Sequence, residues 1–181
     1  MQSRDYPSDL EDWVTLPDGR RLRIRLLRPG EEAPIRDLDA HLSVRTRYRR
    51  FFSPMRALPD SLLRLLTTVD YCRRLALIAD IDTATGTDIV ALGSFAAVDN
   101  SAVEVAVLVS DEWQHMGVGT VVADRILQAA EARGFTRFIA NLFCDNAEMR
   151  RIVNRLGRIV ASSARMGVCE VTFVRRLSPA A

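Results

Sequence analysis

A glycine-containing loop carries the clearest chemical signal in this chain. Residues Gln114–Gly119 read Gln-His-Met-Gly-Val-Gly, and they lie between an apolar run and a segment of helical periodicity. The run, Val103–Val109, is short and rich in β-branched residues, which predicts a strand. Apolar residues then recur at helical spacing as far as Arg133. A glycine loop between a strand and a helix presents free backbone N–H groups at the positive end of the helix dipole, so it predicts a phosphate site.

The loop lacks the two commonest nucleotide-binding signatures. The chain contains no lysine, which excludes the lysine-dependent P-loop. The Gly-x-Gly-x-x-Gly pattern is also absent from the loop, which lies past the middle of the chain rather than at a first strand–helix unit. Two interpretations remain, a different kind of phosphate ligand or a glycine turn that binds nothing.

Glu104 is the best candidate for proton transfer. It lies inside the apolar Val103–Val109 run, where a carboxylate is costly unless it is paired or faces a cleft. Desolvation there would raise its pKa towards a value useful to a general base. The alternative is an ordinary residue on the solvent-facing side of a half-buried strand.

A second helical segment with a polar start follows the loop. Residues Asn146–Gly157 place Met149, Ile152 and Val153 on one face and end in Leu-Gly. Asn146 is a natural helix N-cap, a role that requires no ligand.

The surrounding pattern predicts the elements that position these residues. Short β-branched or alternating runs predict strands, and 3.6-residue periodicity predicts helices. The strands are expected at 22–26, 75–79, 89–98, 103–109, 137–143, 158–163 and 168–177, and the helices at 31–42, around 48–52, at 60–69, 120–133 and 146–156. We therefore predict one mixed α/β domain over residues 16–178, after a disordered segment at 1–15.

Composition narrows the function classes. The chain has 181 residues, 48% hydrophobic and 27% charged, and a formal net charge of +2, which gives no reason to expect a nucleic-acid partner. No apolar run approaches the roughly 20 residues of a membrane-spanning helix. We expect a cytoplasmic protein with no membrane partner, either a monomer or a homodimer.

The three cysteines, Cys72, Cys144 and Cys169, are far apart in the sequence. They form no Cys-x-x-Cys pair, so we expect neither a zinc site nor a disulfide framework. Each is predicted to be a small core residue, and no metal is predicted at the site.

The order strand, Gln-x-x-Gly-x-Gly loop, helix, strand and Asn-initiated helix resembles the GNAT acetyltransferase superfamily. The resemblance spans about 22–177 and is strongest from Glu104 to Gly157. It implies a mixed, mostly antiparallel sheet flanked by helices, with acetyl-CoA as the donor. It also implies Glu104 as general base and the backbone N–H of Leu108 as the donor to the thioester carbonyl. By the same resemblance the cofactor contacts are Val107, Leu108, Val109, Gln114, His115, Met116, Gly117, Val118, Gly119, Thr120, Asn146 and Met149.

The first half of the chain resembles the bacterial protein lysine acetyltransferases of this superfamily. The similar segments are Ser43–Phe52, Leu66–Tyr71 and Arg74–Leu77. They favour a protein lysine as acceptor. A small amine acceptor and a non-catalytic acyl-CoA-binding module are the alternatives. The arginines Arg45, Arg47, Arg49 and Arg50 either meet an acidic acceptor or a cofactor phosphate, or form a solvated helix face.

The chain departs from the family pattern at the general acid. Val153 stands where many members carry a tyrosine, and Arg158 replaces the aromatic residue that often follows Leu-Gly. A thiol with a pKa near ~8.5 can leave without much help. Tyr71 and Cys144 are weak candidates for the acid, and each has an alternative structural role.

Overall fold

A computed structural model describes residues 6–83 and 86–176. From β2 onwards its strands and helices follow the order expected from the sequence. They are β1 Asp12–Thr15, β2 Arg21–Leu26, α1 Ala33–Ala40, α2 Val44–Phe51, α3 Asp60–Leu66, β3 Arg74–Thr83, β4 Gly86–Ala97, β5 Ala102–Val109, α4 Val118–Glu131, β6 Arg137–Phe143, α5 Ala147–Leu156, β7 Gly157–Arg165 and β8 Val168–Arg175. None of the helices in the described ranges is long and apolar enough to cross a membrane.

The eight strands form one sheet in the order β1-β2-β3-β4-β5-β6-β8-β7. Every neighbouring pair is antiparallel except β5 and β6, which are parallel. This arrangement confirms the predicted mixed, mostly antiparallel sheet flanked by helices.

Helices cover both faces of the sheet because the central strands bury side chains on both sides. In β3, Leu75 and Leu77 pack into a core formed with α4 and α5, whereas Ala76 and Ile78 pack into a second core formed with α1 and α3. This alternation follows from the two-residue period of a strand. We call these surfaces the α4–α5 face and the α1–α3 face.

Residues 8–15, which the prediction placed in a disordered segment, contain regular secondary structure. Ser8–Leu10 form one turn of 3-10 helix, and β1 pairs with β2 through Asp12 to Thr15. The strand β1 has no clear hydrophobic pattern, because three of its four residues are exposed and the fourth is buried only in part. Residues 1–5 and 177–178, which the prediction also covered, lie outside the described residues.

The expectation of three isolated cysteines is wrong for one pair. Cys144 and Cys169 form a disulfide with their Cα atoms 5.1 Å apart. They meet because β6 and β8 are adjacent, with Leu142 opposite Cys169 in the register. Cys72 is free and half-buried.

Arg47 does not belong to a solvated helix face. It is buried, and its Nε donates a 2.6 Å hydrogen bond to the Asp39 carboxylate. The second Asp39 oxygen accepts from the backbone N–H of Leu58 at 3.1 Å. This pair fixes α2 against α1 and the loop that leads to α3.

Candidate active site

The site is built around a gap in the sheet. Strands β5 and β6 pair only over Ala102–Glu104 and Arg137–Ile139, although both continue well beyond that point. A cleft of about 580 Å³ opens between their unpaired halves, with α2 and the N-terminal turns of α4 and α5 completing its walls. The gap therefore leaves one edge of β5 available to a ligand.

The register shows which backbone groups of β5 face this gap. The N–H of Ser110 donates to Val90 in β4, whereas the carbonyl of Ser101 accepts from the N–H groups of Thr136 and Arg137 on the β6 side. No irregularity interrupts the β4–β5 register, so the alternation holds along the strand. Even-numbered residues direct their backbone groups to β4 and odd-numbered ones to the gap.

This alternation changes one predicted assignment. The backbone N–H of Leu108, expected to contact the thioester carbonyl, is directed towards β4, and its side chain is buried in the core on the α1–α3 face. The groups that face the gap are those of Val105, Val107 and Val109. A strand that lacks a neighbour on this side can hydrogen-bond an extended ligand in the manner of an added strand.

Glu104 lies at the point where the strands separate. It is the last β5 residue paired with β6, opposite Ile139, and its exposed side chain lines the cleft. The alternation places its side chain on the same face of the sheet as that of Leu108, the α1–α3 face. The carboxylate thus faces the cleft, and burial by the protein alone does not desolvate it.

The glycine loop has the geometry of an anion site. Gly117 adopts a left-handed conformation, φ +89°, that glycine tolerates best and that begins α4. The backbone N–H groups of Val118 and Gly119 have no acceptor within the described part of the chain, as expected for the first turn of a helix. Donors, helix dipole and an open cleft together fit the pyrophosphate of coenzyme A.

Gln114 lines the cleft, and its side chain also holds the loop in place. Its Nε2 donates to the carbonyl of Val109 at 3.1 Å and to the hydroxyl of Thr46 at 3.2 Å. The first contact closes the turn between β5 and the loop, and the second connects the loop to α2. The glutamine is therefore explained by protein contacts before any ligand is considered.

One contact links the glycine loop to α5, and a second caps the start of that helix. The Nδ1 atom of His115, a residue with φ +64°, lies 2.9 Å from a carboxylate oxygen of Glu148. Asn146 caps α5, its Oδ1 accepting from the Met149 backbone N–H at 3.2 Å. The predicted N-cap is confirmed, and Asn146 also lines the cleft.

Most of the predicted site residues meet in this cleft. Glu104, Gln114, Asn146 and Met149 line it, together with Val107, Leu108, Val109, His115, Gly117, Gly119 and Thr120. Two others do not. The sulfur of Met116 lies 2.9 Å from Arg20 Nη2, and Val118, the first residue of α4, is fully buried in the core.

The sequence did not indicate several further cleft residues. Asp111, Glu148 and Arg151 are examples, and so are the β6 residues Ala140–Leu142. The gap makes the β6 residues accessible, and a break in pairing between two distant strands has no local sequence signal.

Val153 stands where the tyrosine is common in the family, and neither candidate for the general acid, Tyr71 or Cys144, is available at the cleft. Val153 is buried in the core, and the hydroxyl of the buried Tyr71 donates to the Leu27 carbonyl at 3.3 Å outside the cleft. Cys144 is in the disulfide and has no thiol. Each of these residues has a structural role.

Comparison with known proteins identifies the fold family. The Acetyltransferase (GNAT) family model matches residues 42–157, which include the gap, the loop and α5. The chain belongs to the GNAT acetyltransferase family. Its relatives include acetyltransferase PA5475 of Pseudomonas aeruginosa, 28% identical over 149 residues that make up 81% of this chain and 80% of that protein.

Two further GNAT relatives bear the name Pat. Acetyltransferase Pat of Mycolicibacterium smegmatis is 30% identical over 148 residues, 81% of this chain but 44% of that protein. The crystal structure of the GNAT domain of S. lividans PAT superposes with a TM-score of 0.83 at 26% identity, covering 94% of this chain and 99% of that domain. This GNAT chain thus spans less than half the length of the M. smegmatis protein.

Proposed function

We propose that this protein transfers the acetyl group of acetyl-CoA to the side-chain amine of a protein lysine, with Glu104 as the base. The observation that carries the proposal is that the glycine loop and Glu104 open onto one cleft, joined by the unpaired edge of β5. Acetyl-CoA would supply the activated acetyl thioester. The resemblance of the first half of the chain to protein lysine acetyltransferases favours lysine over a small amine.

Different backbone groups along β5 and at the start of α4 would contact different parts of acetyl-CoA. The N–H groups at the start of α4 hold the pyrophosphate, and the gap-facing backbone of Val105, Val107 and Val109 aligns the extended arm. We assign the contact with the thioester carbonyl to a gap-facing N–H, that of Val107, in place of Leu108. The length of β5 from Glu104 to Val109 is about 17 Å, at roughly 3.3 Å per residue. The phosphates and the reacting acetyl group would therefore lie at opposite ends of this edge.

Glu104 accepts the proton that the amine must lose. The lysine nitrogen bonds to the acetyl carbon, the carbon–sulfur bond breaks, and the thiol leaves as its thiolate. Glu104 takes the ammonium proton, directly or through a water molecule, so that the nitrogen becomes nucleophilic. The second proton that the nitrogen loses as the amide forms passes through solvent to the thiolate. With a pKa of about 8.5 the leaving thiolate requires no dedicated acid.

Replacing the base tests the proposal. Glu104→Gln should lower kcat/KM for a lysine peptide by about 10²- to 10⁴-fold, the usual contribution of general base catalysis, while the Kd of coenzyme A measured by calorimetry stays within about twofold. Glu112→Gln removes an exposed carboxylate that does not line the cleft and serves as the matched control. Unchanged kcat/KM in Glu104→Gln contradicts the base assignment.

A further inference from the structure

The four arginines of α2 have different environments. Arg47 is buried against Asp39, and Arg49 lies 3.9 Å from the exposed Asp145. Arg45 and Arg50 have no carboxylate within 4.0 Å among the residues that the structure describes. Arg45 is exposed, whereas Arg50 is half-buried in the wall of the cleft. Arg50 is therefore the half-buried arginine of α2 that lacks a carboxylate partner in the described part of the chain.

The environment of Arg50 is that of a desolvated cation. Its guanidinium carbon lies 4.9 Å from the centre of the neighbouring Phe51 ring. Burial lowers the pKa of Arg50, and the negative charge of Glu104 only partly opposes this. A guanidinium has five N–H donors and stays charged in proteins. Leaving such a group half-buried without an acceptor is unfavourable, so an anion that enters the cleft would be bound there.

Arg50 and Glu104 are near each other without forming an ion pair. Both line the cleft, and the negative charge of Glu104 acts to raise the pKa of Arg50. No nitrogen–oxygen distance between them falls within 4.0 Å. The cleft therefore presents a positive and a negative group side by side on the α1–α3 face. A ligand with an amine and a carboxylate a few ångströms apart would match both.

The coenzyme A phosphates are not the anion expected at Arg50. The loop that fits the pyrophosphate begins α4, and α4 packs on the α4–α5 face. Arg50 lies on α2, and the next residue of that helix, Phe51, packs against the core of the α1–α3 face. The Glu104 side chain is directed to the same face. The partner of Arg50 should therefore arrive with the acceptor rather than with the donor.

We propose that Arg50 binds a carboxylate carried by the acceptor close to the reacting amine, and that the preferred acceptor is a lysine flanked by an aspartate or glutamate. This inference rests on the proposed function and defines its acceptor class. The same chemistry is available from the α-carboxylate of a free amino acid, so the experiment includes both sources.

Paired substrates test the assignment. The peptide pair has an aspartate or an asparagine next to the only lysine, and the small-molecule pair is L-lysine and L-lysine amide. In the wild type, kcat/KM should favour the acidic peptide about tenfold, the size of one partly exposed charge-assisted hydrogen-bonded contact. Arg50→Gln should bring this ratio close to one with the KM for acetyl-CoA unchanged, and Arg50→Lys should restore part of the preference.

Arg64→Gln is the matched control, because Arg64 is an exposed arginine on α3 outside the cleft; it should keep the wild-type ratio. Calorimetric titration of both peptides into the protein saturated with coenzyme A gives a readout independent of turnover. Equal affinities in the wild type, or a preference that survives Arg50→Gln, would overturn the Arg50 assignment.

The experiment separates lysine acetylation from carboxylate binding at Arg50. If acidic and neutral peptides bind differently in an Arg50-dependent manner but no lysine is acetylated, the proposed function is wrong and the anion site stands. If the preference appears only for L-lysine over its amide, the site stands and the acceptor is a small molecule, which overturns the preference for flanked protein lysines.

Discussion

The Asp111 carboxylate accepts two hydrogen bonds from Ser43, one from its backbone N–H and one from its hydroxyl, each at 2.7 Å. The hydroxyl of Thr46 adds a third at 2.8 Å. At the other end of α2, the ring of its C-cap residue Phe52 lies 5.2 Å from that of Phe143, the last residue of β6. Helix α2 therefore spans the gap, attached beyond β5 at one end and to β6 at the other.

Removing Asp111 should release one end of α2. Asp111→Ala eliminates three hydrogen bonds, so we expect the free energy of unfolding to fall by about 1–2 kcal/mol. The KM for the acceptor should rise about three- to tenfold, because we propose that α2 forms the acceptor side of the cleft. Urea unfolding and steady-state kinetics measure the two effects. Asp88→Ala, at an exposed position in β4, is the control, and equal behaviour of the two variants would contradict the role of α2.

The same contact should depend on pH in acid. Burial alone would raise the pKa of Asp111, but the hydrogen bonds from Ser43 and Thr46 outweigh it and the pKa lies below its ordinary value. A carboxylate with a lowered native pKa stabilises the fold fully above its unfolded pKa, about 3.9, and loses this contribution as pH falls through the native pKa. The difference in unfolding free energy between wild type and Asp111→Ala should thus be constant from pH 7 to 5 and shrink below about 4. A constant difference down to pH 2.5 would contradict it.

Gly157 should tolerate no side chain although its backbone is ordinary. Its φ is −146°, an extended value open to any residue, so conformational freedom does not explain the glycine. A Cβ there would lie 2.8 Å from the Val174 carbonyl oxygen and would overlap the Phe173 ring. Gly157→Ala should lower the unfolding free energy by about 1–3 kcal/mol, as expected of overpacking. Ser162→Ala, on the exposed surface of the same strand, should change it little, and an equal change in both would refute the steric explanation.

Features governed by local chemistry were predictable from the sequence. The β6 limits, the Asn146 cap and the turn that starts α4 each depend on residues within a few positions of one another. Composition and periodicity are enough for such features. The glycine loop could be placed at the end of a strand for the same reason.

Features that depend on distant strands were not predictable. The Cys144–Cys169 disulfide and the burial of Arg47 by Asp39 require knowledge of which elements are adjacent. The direction of the Leu108 N–H depends on a register with β4 that a single sequence does not specify. The gap arises because β5 and β6 stop pairing after Glu104 and Ile139, and the sequence contains no signal for that position.

The early end of the β5–β6 ladder has a consequence for the energetics of the whole domain. A sheet that is interrupted in its middle lacks the cross-strand bonds that would make its two halves one unit, and the missing bonds lie where an extended ligand would fit. A ligand bound in the gap would then add hydrogen bonds that the sheet itself lacks. Its binding free energy would raise the free energy of unfolding of the domain. In such a protein, the concentration of the bound molecule sets how firmly the two halves of the sheet are held together.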